Sequence, residues 1–81
     1  MLLEIITPDK KIFSGDIKLI QVPGSKGQFE VLNNHAPLVS TLNTGKIKIV
    51  TPEGSKTFFD IQSGVIEVKN NRIIVLIETA N

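Results

Sequence analysis

The chain has 81 residues, enough for one domain, and a chain of this size buries only about 60–65% of the surface that its unfolded form exposes. Apolar residues make up 41% and charged residues 21%, too rich in Ile, Leu and Val for disorder, and a net charge of +1 gives no argument for nucleic acid or an anionic membrane as partner. Cysteine is absent, which excludes disulfides and thiolate metal sites, no run of about 18 apolar residues is available to span a bilayer as a helix, and Glu4 interrupts the apolar N-terminus where a signal peptide needs continuity.

A cytoplasmic single domain is therefore the expectation, and strand signals dominate it. β-Branched residues are dense, Gly and Pro recur at short intervals, and apolar spacing is closer to two than to 3.6, so no helix is predicted. Residues 3–7 read as a strand turned by Pro8-Asp9-Lys10, and residues 11–13 as a short strand ending at Ser14-Gly15-Asp16. Residues 17–22 alternate imperfectly and stop at Pro23-Gly24, where a ladder is hard to continue. A strand over residues 29–32 leads into an Asn33-Asn34-His35 turn, a Pro37-containing edge over residues 36–41, and a second turn over residues 43–45.

Lys46-Ile47-Lys48-Ile49 alternates cleanly, with both isoleucines inward, and Pro52-Glu53-Gly54-Ser55 joins it to residues 56–61 as a hairpin. Residues 64–69 and 72–78 form a last hairpin around Asn70-Asn71, because asparagine tolerates the positive φ of a tight primed turn. Short strands recurring at about eight-residue spacing predict an all-β fold: a flattened antiparallel β-sandwich of about ten short strands in two sheets, forming one domain over residues 1–81. Residues 73–77 are apolar on both strand faces, where a half-solvated strand should alternate. Either the N-terminal segment covers the second face, or that face meets another subunit.

Catalytic and metal chemistry find little support. His35 is the only imidazole, and a triad with Ser40 and an Asp lacks the Gly-x-Ser-x-Gly elbow. One His without Cys or clustered carboxylates does not supply three or four metal ligands. His35 reads instead as a turn residue whose ring nitrogens bind nearby backbone, with Pro37 directing the chain into the next strand. Gly24-Ser25-Lys26-Gly27 is glycine-rich and carries a lysine, but no helix N-terminus follows to oppose a phosphate.

Residues 27–45, GQFEVLNNHAPLVSTLNTG, resemble the G-x-F-G-I-L-P-N-H-A-P-L-V-x-x-L-x-x-G signature of the epsilon subunit of F-type ATP synthases, called delta in mitochondria. Gly27, Phe29, Leu32, Asn34, His35, Ala36, Pro37, Leu38, Val39, Leu42 and Gly45 fall in register. Similarity extends to Phe13-Ser14-Gly15, to the loop over residues 22–28, and to the G-x-I-E-V-x-x-N-x-I-x-V-L-like pattern over residues 64–76. Glu30, Asn33 and Ser63-Gly64-Val65 depart from the family pattern of Gly, Pro and Gly-Gly-Phe.

The resemblance implies a non-catalytic rotor subunit, two packed sheets of about five strands each, with one face of the sandwich docked on the gamma subunit and one end resting on the c-ring, coupling ion translocation to ATP synthesis. It places the complex at the cytoplasmic face of the bacterial plasma membrane, with no bilayer insertion, cofactor or nucleic acid. Gly24, Ser25, Lys26, Gly27, Gln28, Glu30 and His35 become c-ring contact candidates, while Asn34, His35, Pro37 and Gly45 hold turns. Lys26 and Gln28 stand where many relatives are acidic, so a salt bridge to the ring does not carry over, although Glu30 restores a carboxylate nearby. Because the sequence stops at Asn81, the family's C-terminal helical hairpin, with its ATP sensing and inhibition, is expected to be absent. The competing expectation is an independent β-sandwich that binds a peptide or glycan. It would need exposed aromatics, whereas Trp and Tyr are missing and the four Phe read as core or turn-flanking.

Overall fold

A computed structural model describes residues 1–79. Eight strands form: β1 (Leu2–Ile6), β2 (Lys11–Asp16), β3 (Leu19–Gly24), β4 (Gly27–Leu32), β5 (Leu38–Leu42), β6 (Gly45–Val50), β7 (Lys56–Lys69) and β8 (Arg72–Thr79). They hydrogen-bond in the order β2-β1-β8-β7-β5-β3-β4, and β6 bridges β3 and β7. All pairs are antiparallel except β1 with β8, where Leu3 lies beside Ile73 and Ile5 beside Val75 in parallel.

The strand count is lower than the sequence suggested because residues 56–61 and 64–69 are one strand. β7 pairs with β6 from Lys56 to Ile61, shifts register between Ile61 and Ser63, and then runs between β5 and β8 from Gly64 onward. A bulge of this kind bends a strand without ending it. Gly64 permits the bend: a Cβ there would lie 2.7 Å from the Leu76 carbonyl oxygen and 3.1 Å from Ile77 Cγ2. One long strand thus belongs to both layers of the sandwich.

Period-two alternation fills the space between the layers. Leu3, Ile5, Ile47, Ile49, Ile66 and Val75 are fully buried, each on the inward face of its strand. No buried polar or charged side chain occurs among the described residues, so the core needs no internal hydrogen-bond partners. The inward assignment of Ile47 and Ile49 holds. β8 buries Ile73, Val75 and Ile77 but leaves Ile74 and Leu76 exposed, since β1 pairs at its side and does not cover its second face.

Two turns are tied together by asparagines. Asn70 and Asn71 both adopt positive φ, 53° and 60°, as the tight turn between β7 and β8 requires. The Asn71 side chain then reaches the segment between β4 and β5: its Oδ1 accepts from the Asn34 N–H at 2.8 Å, and its Nδ2 donates to Asn33 Oδ1 at 2.8 Å. Replacing Asn71 by Ala removes both bonds and places a Cβ-only side chain at positive φ, for a loss of about 2 kcal/mol. Thermal unfolding should fall by roughly 10 °C, and Asn71→Gly, which keeps the backbone free to turn, should recover part of it.

Candidate functional site

The outer face of β5, β7, β8 and β1 carries Val39, Val65, Ile74, Leu76 and Leu2, five of the seven large hydrophobic residues exposed among the described residues. The registers align Thr41, Val65, Leu76 and Ile6 across four strands, and beside them Val39, Glu67, Ile74 and Glu4. Val39 is 70% exposed and Leu76 51%. Where this face meets the turn after β1, Ile6, Pro8, Gly64, Val65 and Leu76 line an open cavity of about 500 Å³. Two carboxylates flank Ile74. Glu4 accepts from Lys11 Nζ at 2.6 Å, while Glu67 has no ion pair among the described residues.

The sequence-predicted contact residues lie elsewhere, along β4. Ser25 and Lys26 form the two-residue turn that joins β3 to β4, closed by the Gly24–Gly27 pair. Ser25 fixes that turn to β5: its N–H donates to the Thr41 carbonyl at 3.0 Å and its Oγ to the same oxygen at 2.8 Å, with the Thr41 hydroxyl also in contact. Gln28 and Glu30 are exposed on β4 itself. His35 follows β4 at its opposite end, with its N–H donating to the Leu32 carbonyl at 3.2 Å and Nδ1 paired with the Ala36 carbonyl at 2.7 Å.

Gly24 and His35 are therefore separated by the full length of β4, about 17–20 Å for six extended residues. The predicted residues share one sheet edge and do not cluster at one tip. Ser40 donates its hydroxyl to the Thr41 carbonyl at 3.0 Å, so neither it nor His35 is directed at the other. Asn34 has φ 63°, whereas Gly45 is the first residue of β6 and pairs with Ile61. Pro37 leads into β5.

Sequence reasoning missed two features. Phe58 is neither core nor turn-flanking: it stands on the outer face of β7 beside Lys48 and is 56% exposed, whereas Phe13 and Phe59 pack edge to face with centroids 6.5 Å apart. A strict reading of period two over residues 56–61 would have put Phe58 opposite to buried Ile61, and thus outward. The Asn33–Asn71 tie carries no local signal, since its partners are distant in sequence.

The chain is thus a small β-sandwich that presents an apolar sheet face and a polar strand edge. The family model for the ATP synthase delta/epsilon chain β-sandwich domain matches residues 1–81. The chain is 42% identical over 76 residues to the ATP synthase epsilon chain of Chlorobaculum tepidum, covering 94% of this chain and 86% of that one. It is 42% identical over 77 residues to the epsilon chain of Campylobacter hominis, of which it spans 59%. The chain belongs to the ATP synthase delta/epsilon family, whose epsilon chain is a non-catalytic subunit of a membrane-associated complex.

Among solved structures, the fold matches a chain of the Euglena gracilis mitochondrial ATP synthase with a TM-score of 0.90 at 20% identity, covering 95% of this chain and 49% of that one. A chain in the central stalk and c-ring structure of the Tetrahymena thermophila mitochondrial ATP synthase matches with a TM-score of 0.82 at 17% identity, covering 96% and 63%. At these identities the matches establish the all-β fold.

Proposed function

We propose that this chain is a rotor subunit of an F-type ATP synthase that docks on the gamma subunit through the outer face of β5, β7, β8 and β1, and faces the c-ring along the β4 edge. The observation that carries this reading is the row of exposed Val65 and Leu76 and half-buried Ile6, with exposed Val39 and Ile74 beside it. A contiguous apolar face on so small a domain is a docking surface. A standard interface takes about 800 Å² from each partner, roughly one sixth of this chain's 4941 Å², which is most of one sheet face.

The β4 edge supports the second contact. Lys26, Gln28 and Glu30 are exposed, and the turns at both ends of the strand are held by the Ser25 and Asn71 hydrogen bonds. Rim charges of this kind set register and encounter rate more than affinity. The subunit would sit peripherally at the cytoplasmic face of the bacterial plasma membrane and pass ion-driven torque into the stalk, with no nucleotide bound by these 81 residues. Gel filtration with the gamma subunit from the same source tests the reading. One-to-one co-elution is expected, and separate elution of two well-folded proteins rejects it in favour of an independent peptide- or glycan-binding sandwich.

A further inference from the structure

β4 is the outermost strand on its side of the sheet and, among the described residues, pairs only with β3. In an antiparallel ladder, hydrogen-bonded and non-hydrogen-bonded pairs alternate. The two-residue turn at Ser25-Lys26 makes Gly24 and Gly27 a hydrogen-bonded pair. Inward bonds thus belong to Gly27, Phe29 and Val31, and the N–H and C=O groups of Gln28 and Glu30 and the N–H of Leu32 are directed away from the sheet, the Leu32 carbonyl being taken by the His35 N–H. β3 obeys the same alternation: Pro23, opposite Gln28, turns its carbonyl away from β4 and accepts from the Asn43 N–H at 2.8 Å.

Exposed edges are normally blunted against strand addition by proline, lysine or a bulge. β2, the edge strand at the other end of the strand order, has such devices: Lys11 lies on it, Pro8 is in the preceding turn, and its pairing with β1 is irregular between Ile5 and Ile6. β4 has no proline, lysine or register shift, and its Leu32 is 52% exposed. Its one charge, Glu30, makes no ion pair among the described residues.

A cavity of about 630 Å³ opens beside this strand, walled by Gln28 and Phe29 of β4 and by Val39 and Ser40 of β5. The Thr41 carbonyl accepts from Ser25 and so faces away from β7. By the period of two, Val39 also turns its backbone groups away from β7.

We propose that the free edge of β4 receives an extended segment of a partner chain by strand addition, with a Lys or Arg opposite Glu30 and an apolar residue opposite Leu32. A second copy of this chain does not meet that requirement. Antiparallel overlap of residues 28–32 of two β4 edges, the register that sets outward-bonding residues opposite one another, places Glu30 directly opposite Glu30, a repulsive pair. The inference specifies how the edge assigned above to the ring engages a partner. Its test needs no other subunit, so it can fail while gamma co-elution succeeds, and the reverse.

The ¹⁵N-labelled 81-residue chain is titrated with the peptide acetyl-Thr-Ile-Thr-Lys-Thr-Thr-Thr-amide and followed by amide shifts and solvent exchange. The expected result is slowed exchange at Gln28, Glu30 and Leu32, with about fivefold weaker binding when the central Lys of the peptide is replaced by Glu. Glu30→Lys, at an exposed position, should reverse the preference. Absence of shifts at millimolar peptide, shifts centred on Val65 and Leu76, or a preference that Glu30→Lys leaves unchanged would each overturn the proposal.

Discussion

Gly64→Ala is expected to lower stability by about 2–3 kcal/mol, among the largest effects of any single-carbon addition to this chain. The added Cβ would lie 2.7 Å from the Leu76 carbonyl oxygen, and that oxygen belongs to a backbone held in ladder pairing with β7 and β1. A flexible side chain could yield, but this backbone cannot yield without moving the strand that carries Val75 and Ile77 into the core. By comparison, alanine at Gly15 would meet only ordinary contacts, 3.8 Å from the Phe13 ring, and should cost less than about 1 kcal/mol. Urea unfolding of the two variants measures the difference. Equal midpoints would show that β7 and β8 separate freely at the bulge, contrary to the account given for the bend.

Leu76→Asp is expected to weaken gamma binding by about 100-fold while leaving the domain folded. Leu76 is half exposed on the outer face of β8, so its replacement opens no core cavity and costs the free domain about 1 kcal/mol through strand preference. In the docked state the carboxylate would lie desolvated between Val65 and Ile6, and near Glu67, which has no ion pair among the described residues. Phe58→Asp is the matched control, because it makes the same chemical change on the outer face of the opposite layer. Co-elution that survives Leu76→Asp but not Phe58→Asp would move the gamma contact to the other sheet.

Local chemistry was legible in the sequence wherever a residue type had one physical use. Asn70-Asn71 forms a turn of paired positive φ because few other dipeptides tolerate it, and Lys46-Ile47-Lys48-Ile49 can bury only one of its faces. The continuity of β7 was not legible. Ser63-Gly64 looks like a strand boundary, and only the approach of Leu76 reveals why a glycine is needed inside a strand. The parallel pairing of β1 with β8 joins the two ends of the chain and has no local signature.

The site divides in the same way. Gly24 to Gln28, Glu30 and His35 were singled out through the family resemblance, and their distribution along a single edge depends on the register of β4. The apolar run over residues 73–77 allowed either cover by the N-terminal segment or contact with another subunit, and the structure leaves Ile74 and Leu76 exposed on the outer face. Its neighbours Val39 and Val65 joined that surface only when the sheet aligned them.

The shared strand also determines how the domain responds to force. Two sheets held together only by side-chain packing can slide past each other under shear, because no single contact resists displacement strongly. Here Val65, on the face proposed to meet the stalk, is joined to Asp60 and Phe58 of the other layer by five to seven covalently linked residues of one extended backbone. A tangential load applied to one layer is therefore carried into the other as tension along peptide bonds. Such a load meets first the bend at Ser63-Gly64, which the Leu76 backbone braces, and then the extended backbone on either side of it.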